Sequence, residues 1–243
     1  ILPMRKTLAM SLNIPAIKTL EAVGIDSAIN MAHRLGITTF KERKRYGLSL
    51  AIGGAEVKPI DLTSAFSVFA NDGKRSEPYS VSETIDADGK RDLKKNESEQ
   101  VIGVQVARKI NSILSDNSAR APIFGPNSPL FIPNKSVAAK TGTTQEFRDA
   151  WTIGYTPDIA VGVWCGNNDG HPMVFGSDGV FIAAPIWRKF IDSLPQKYFN
   201  NSFIAYEPAV SKFSVAFSGD KKNLEKDKID KKDSKKKKRK SES

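Results

Sequence analysis

The hydrophobic period of this chain changes at Ser136. Upstream, apolar residues recur at helical spacing, as in Ile29, Ala32 and Leu35 or in Leu62, Ala65, Phe66 and Phe69. Downstream they alternate, over residues 136–143, 149–155 and 159–166. Helices first and strands later cannot make a βαβ alternation, so the order predicts an α+β fold. Only Thr156-Pro157-Asp158 separates the last two strands, which predicts an antiparallel hairpin. A final amphipathic segment, 185–194, offers Ile186, Trp187, Phe190, Ile191 and Leu194 to cover that sheet.

Punctuation divides the helical part. A helix over 3–10 breaks at Ser11-Leu12-Asn13, and Pro15 starts a second that ends at Gly24. Asp26 is the expected cap of a third, which Gly36 closes and on which His33 lies beside the apolar stripe. After the small apolar run 47–54, Pro59 opens a buried helix that Asn71-Asp72-Gly73 ends. Residues 79–95 predict an exposed hairpin around Asp86-Ala87-Asp88-Gly89. A longer helix is expected from Ser98 to about Leu114, with Val101, Val104, Ile110 and Ile113 or Leu114 inward. Pro122, Pro126, Pro129 and Pro133 then predict irregular chain.

Charge is unevenly distributed. The net +10 suggests an anionic partner, but residues 220–243 hold 12 Lys or Arg against 6 Asp or Glu, leaving 25 against 21 and a net of +4 for residues 1–219. The expected organisation is a folded domain over 1–195, an extension over 196–219 in which Phe213, Val215 and Phe217 alternate like a short strand, and a disordered basic tail over 220–243. With no aromatic residue after Phe217, the tail has no platform for base stacking, so specific nucleic-acid binding is not expected. Nonspecific electrostatic contact stays open. A single cysteine, Cys165, excludes an internal disulfide framework, and with two histidines, His33 and His171, neither a metal centre nor a cofactor is expected. Cys165 reads as a small buried strand thiol and His171 as a surface-turn residue. No window nears the roughly 20 apolar residues of a membrane-spanning helix, and the first residues lack the charged start and cleavage site of a signal peptide.

Two short segments carry chemistry. Lys140-Thr141-Gly142-Thr143 places an ammonium, two hydroxyls and a residue without a side chain on one strand, where they can hold a carboxylate and admit a ligand or backbone closely. The strand edge can also pair with an extended peptide. Alternatively the four residues form an ordinary surface hairpin. Ser11-Leu12-Asn13 is polar within an apolar entry between helices. As structure, Ser11 or Asn13 is a helix cap worth about 1 kcal/mol. As function, the hydroxyl relays a proton and the amide clamps a peptide bond.

The segments Arg5 to Ala16, Gly47 to Val57, Phe69 to Arg75, Lys140 to Thr144 and Asp149 to Asp158, in that order, resemble the transpeptidase domain of class A penicillin-binding proteins. The resemblance covers residues 5–194 and implies the penicillin-binding-protein/serine β-lactamase-like fold, truncated on its N-terminal side. It also implies a D,D-transpeptidase that cross-links peptidoglycan stem peptides through a serine acyl-enzyme, with β-lactams as covalent inhibitors of the full-length protein. Ser11, Asn13 and Lys140 take catalytic roles by resemblance, and Thr141, Gly142 and Thr143 substrate-binding ones. The family's nucleophile sits in a Ser-x-x-Lys box ahead of Ser-x-Asn. Here Ser-x-x-Lys occurs only at Ser218 and Ser234, in or beside the basic tail. The expectation is therefore a fragment inactive alone, its upstream region supplying nucleophile, glycosyltransferase and membrane anchor, at the extracytoplasmic face of the membrane. A D,D-carboxypeptidase or β-lactamase-type hydrolase, and a non-catalytic peptidoglycan-binding module, are the alternatives.

Overall fold

The structure is a computed structural model and describes residues 2–95 and 97–208; the strand expected at 213–217 and the tail expected from 220 lie outside them. Ile1–Tyr206 form one compact unit. Helices α1 (Met4–Ala9), α2 (Asn13–Val23) and α3 (Ile25–Arg34) follow one another closely. α2 begins at Asn13, so Pro15 lies inside its first turn, where a missing N–H costs no helical bond. Gly24 caps α3 in place of Asp26, which sits inside the first turn and pairs with Arg43. Among the described residues no helix is long and apolar enough to cross a membrane.

α4 (Pro59–Ala70) starts on its proline and buries Ala65 and Val68. β1 (Lys74–Ser76), β2 (Glu83–Ile85), β3 (Arg91–Leu93) and β4 (Ser98–Gln100) make two small antiparallel sheets, β1 with β4 and β2 with β3. The second is the expected exposed hairpin, turned at Asp86 to Gly89. The first corrects the helix expected from Ser98. Residues 98–100 pair with β1, and α5 (Val104–Leu114) begins only after Gly103. Local periodicity carries no information about a partner strand so far upstream, so Val101 is buried ahead of the helix and Val104 is exposed on it.

The proline-rich stretch is also partly regular. α6 (Asn117–Phe124) contains Pro122. Asp116 caps it through Oδ1, which accepts from the Ala119 N–H at 2.9 Å. One proline in an eight-residue helix removes a single bond, the one to Ser118, and the cap offsets part of that loss.

The main sheet has the order β5 (Ala138–Thr143), β6 (Asp149–Tyr155), β7 (Ala160–Gly166), antiparallel throughout. Alternation sends Ala138 and Tyr155 toward α4 and α5, where the Tyr155 hydroxyl donates to Asn111 Oδ1 at 2.8 Å. Ala139, Val161 and Val163 face the other way, onto α7 (Ala183–Ser193). α7 buries Ala183, Ala184, Trp187 and Ile191. Ile186 and Phe190, expected inward, are 52% and 48% exposed, because the stripe that fits the sheet lies one position round the helix. Trp187 reaches the sheet over Gly154, where a Cβ would lie 2.2 Å from an indole carbon. Beyond α7, Tyr198 accepts from the Thr156 hydroxyl and Phe203 packs edge-on against Tyr155.

Candidate active site

Ser11 follows the end of α1 in a backbone conformation unusual for serine. Its φ is +58°, its N–H donates to Leu8 and the Leu12 N–H donates to Thr7. That pair of bonds is the Schellman ending of a helix, in which the left-handed position normally holds glycine. The motif turns the chain sharply into α2 and leaves the Ser11 side chain at the corner. The capping role is not taken. Leu12 occupies the cap of α2 without a side-chain bond, and Asn13 stands exposed in the first turn.

Lys140 meets Ser11 there: its Nζ donates to Ser11 Oγ at 2.6 Å and to the Thr141 carbonyl at 2.8 Å. Two segments 129 residues apart thus share one hydrogen bond. β5 is an edge strand, and the bond from Thr144 N–H to the Asp149 carbonyl fixes which of its groups face outward. Alternation makes 142 with 151 and 140 with 153 the hydrogen-bonded pairs. The N–H and C=O groups of Thr141 and Thr143 therefore point to the open edge. By the same alternation the side chains of Lys140 and Gly142 take one face and those of Thr141 and Thr143 the other. The Thr143 hydroxyl is engaged there, accepting from the Gly179 N–H at 3.0 Å.

Gly179 packs so closely that a Cβ would lie 2.5 Å from both the Gly142 and Trp151 carbonyl oxygens. Gly179→Ala is expected to push the segment off the sheet and lower stability by about 2 kcal/mol, measured by urea denaturation.

The Lys140 ammonium is pushed down to about 8, first by burial and then by the like charge of Arg120. Arg120 itself is 3% exposed, and burial draws it down against the opposing pull of Asp116. Sequence reasoning missed Arg120; the available signal was an acidic and a basic residue four apart in an alanine-rich segment otherwise fit for burial. Cys165 is half-buried in β7 and burial raises its thiol pKa, which removes thiolate character. His33 bonds the Phe40 carbonyl, while His171 is exposed and contacts Asp169.

The chain matches the family described as "Penicillin binding protein transpeptidase domain" over residues 1–192. Penicillin-binding protein 1A of Aquifex aeolicus (strain VF5) is 31% identical over 209 residues, covering 82% of this chain and 27% of that protein. Penicillin-binding protein 1A/1B of Bacillus subtilis (strain 168) is 32% identical over 206 residues, covering 77% of this chain and 22% of that protein. Among solved structures, PonA1 of Mycobacterium tuberculosis in complex with penicillin V superposes with a TM-score of 0.72 at 26% identity, over 83% of this chain and 58% of that one. The chain belongs to the transpeptidase domain family of class A penicillin-binding proteins. It spans about a quarter of the length of these curated relatives.

Proposed function

We propose that residues 1–206 supply the proton-relay and carboxylate-binding half of a D,D-transpeptidase site that cross-links peptidoglycan stem peptides. The carrying observation is the 2.6 Å bond from Lys140 to Ser11 beside the open edge of β5. A serine from a Ser-x-x-Lys segment outside these residues attacks the carbonyl of the terminal D-Ala-D-Ala bond as the lysine of that segment takes its proton. As the C–N bond breaks, the leaving amine takes a proton from the Ser11 hydroxyl, which Lys140 replenishes. An amine of a neighbouring stem then attacks the acyl carbon and loses a proton to that relay, and the serine leaves as its hydroxyl. Thr143 N–H, facing the open edge, is one oxyanion donor, worth about 3 kcal/mol. The open edge at Thr141 receives the substrate carboxylate, Gly142 admits it, Lys140 supplies the positive field while it holds Ser11, and Asn13 bonds the donor amide. A substrate of this class lies outside the cytoplasmic membrane, so the proposed location is its outer face.

The test is acylation by a fluorescent penicillin. In the full-length protein the rate should fall as pH rises through about 8, because Lys140 then loses the proton it donates. Ser11→Ala should lower the rate on the order of a hundredfold. The 243-residue chain alone should show no covalent adduct by mass spectrometry. An adduct on that chain, or undiminished labelling of Ser11→Ala, would overturn the reading. No observation favours the hydrolase over the transpeptidase.

A further inference from the structure

One set of charged side chains runs from α1 to β5 and plays no part in the reaction just described. Arg5 on α1 donates to the Ser112 carbonyl and hydroxyl on α5, each at 2.7 Å, and pairs with Asp116 at 3.1 Å. Asp116 in turn caps α6 through the Ala119 N–H. One helical turn on, Arg120 donates to the Leu114 carbonyl at 2.7 Å and to the Ala139 carbonyl at 3.4 Å. Ala139 immediately precedes Lys140, and its carbonyl points to the same open edge as those of Thr141 and Thr143.

We propose that Arg5, Asp116 and Arg120 form a charged ladder that anchors the start of α1, the helix that leads into Ser11, to the same α5–α6 corner that braces the Lys140 strand, with Arg120 the positioning residue for the Lys140 ammonium. The inference rests on the proposed function but concerns geometry that can be read without it. Arg120 is among the most buried charged groups described, and a buried guanidinium away from carboxylate contact is costly unless other acceptors satisfy its donors, here the Leu114 and Ala139 carbonyls. What it contacts is the backbone on either side of the site: the end of α5 and the residue before Lys140. By occupying the Ala139 carbonyl it also ends the open edge, so a substrate strand can pair with β5 only downstream of residue 139. Among the described residues, Lys140 meets the uncharged Ser11 that follows α1 and the Thr141 carbonyl of its own strand, has Ile153 as its register partner on β6, and feels the charge of Arg120 from α6, which Asp116 opposes.

Trace acetylation across a pH series, read peptide by peptide by mass spectrometry, gives the titration midpoint of Lys140 in the intact full-length protein without any need for activity. The wild-type midpoint should be near 8. Arg120→Gln should raise it by on the order of one pH unit, and Arg120→Lys, which keeps the charge, should hold it near the wild-type position. Should Arg120→Gln not fold, Arg5→Gln on the half-exposed end of the ladder is the companion variant. It should lower the penicillin acylation rate on the order of tenfold at unchanged penicillin affinity. A Lys140 midpoint indifferent to Arg120→Gln in a folded protein, or wild-type acylation by Arg5→Gln, overturns the ladder. A midpoint that moves while Lys140→Met still acylates normally supports the ladder and sinks the proposed reaction instead.

Discussion

Lys140→Met in the full-length protein is expected to lose penicillin acylation by about a thousandfold while the domain becomes harder to unfold. Both halves follow from burial. The ammonium donates to Ser11 and stands at the open edge of β5, so an apolar replacement removes a proton donor and a positive field together. The same burial makes the charge a cost to the fold. Its folded pKa of about 8 lies below the ordinary value of 10.5, so the folded state binds protons less tightly than the unfolded chain. The sign is therefore opposite to that of a paired lysine. The destabilisation is present in full below pH 8, and it is relieved as pH rises from 8 to 10.5. The shift corresponds to about 3 kcal/mol, an upper bound on what Lys140→Met restores. Urea denaturation at pH 7 and pH 10 checks it: the variant should gain at pH 7 and gain less at pH 10. Loss of acylation with loss of stability would make Lys140 a structural residue.

The second large effect is at Trp187. Its indole is fully buried between α7 and the sheet, among Leu130, Ile132, Val137, Ala139 and Ile191. Trp187→Ala should cost about 4 kcal/mol, from the transfer energy of the ring plus the cavity left behind, and a domain of ordinary stability would keep little in reserve. Chemical denaturation followed by circular dichroism measures it. The position also makes a specific coupling prediction with Gly154, where a Cβ would lie 2.2 Å from the ring. Gly154→Ala alone should destabilise by overpacking, whereas in a Trp187→Phe background it should cost less. A double-mutant cycle with no coupling would place the packing elsewhere.

These two residues show how unequal the legibility of the sequence was. Trp187 stood out because helical periodicity marks a buried face, but the same pattern put Ile186 and Phe190 inside, where the structure leaves them half-exposed. A hydrophobic stripe says that a helix packs; the angle at which it packs depends on the partner's surface, here the bare backbone of Gly154. The three strands were readable because alternation and the Thr156-Pro157-Asp158 turn are local signals. Pairing of β4 with β1 was not, because only the fold brings a distant edge to residues 98–100, and the cap at Asp116 that sustains a helix through Pro122 was likewise passed over. Ser11 and Lys140 were legible as a pair through family resemblance, and the structure brings their side chains into contact. Arg120 was not, since the four-residue spacing from Asp116 suggests a helical charge pair but does not say that the arginine is buried.

The left-handed backbone at Ser11 has an evolutionary implication. Glycine would occupy that helix ending with less strain, by about 1 kcal/mol. Random substitution with no demand on the hydroxyl would therefore drift there toward glycine and be rewarded with a more stable fold. A lineage in which the Ser11 hydroxyl has lost its use should carry that exchange early, so position 11 can be read across genomes as an indicator of which copies still need it.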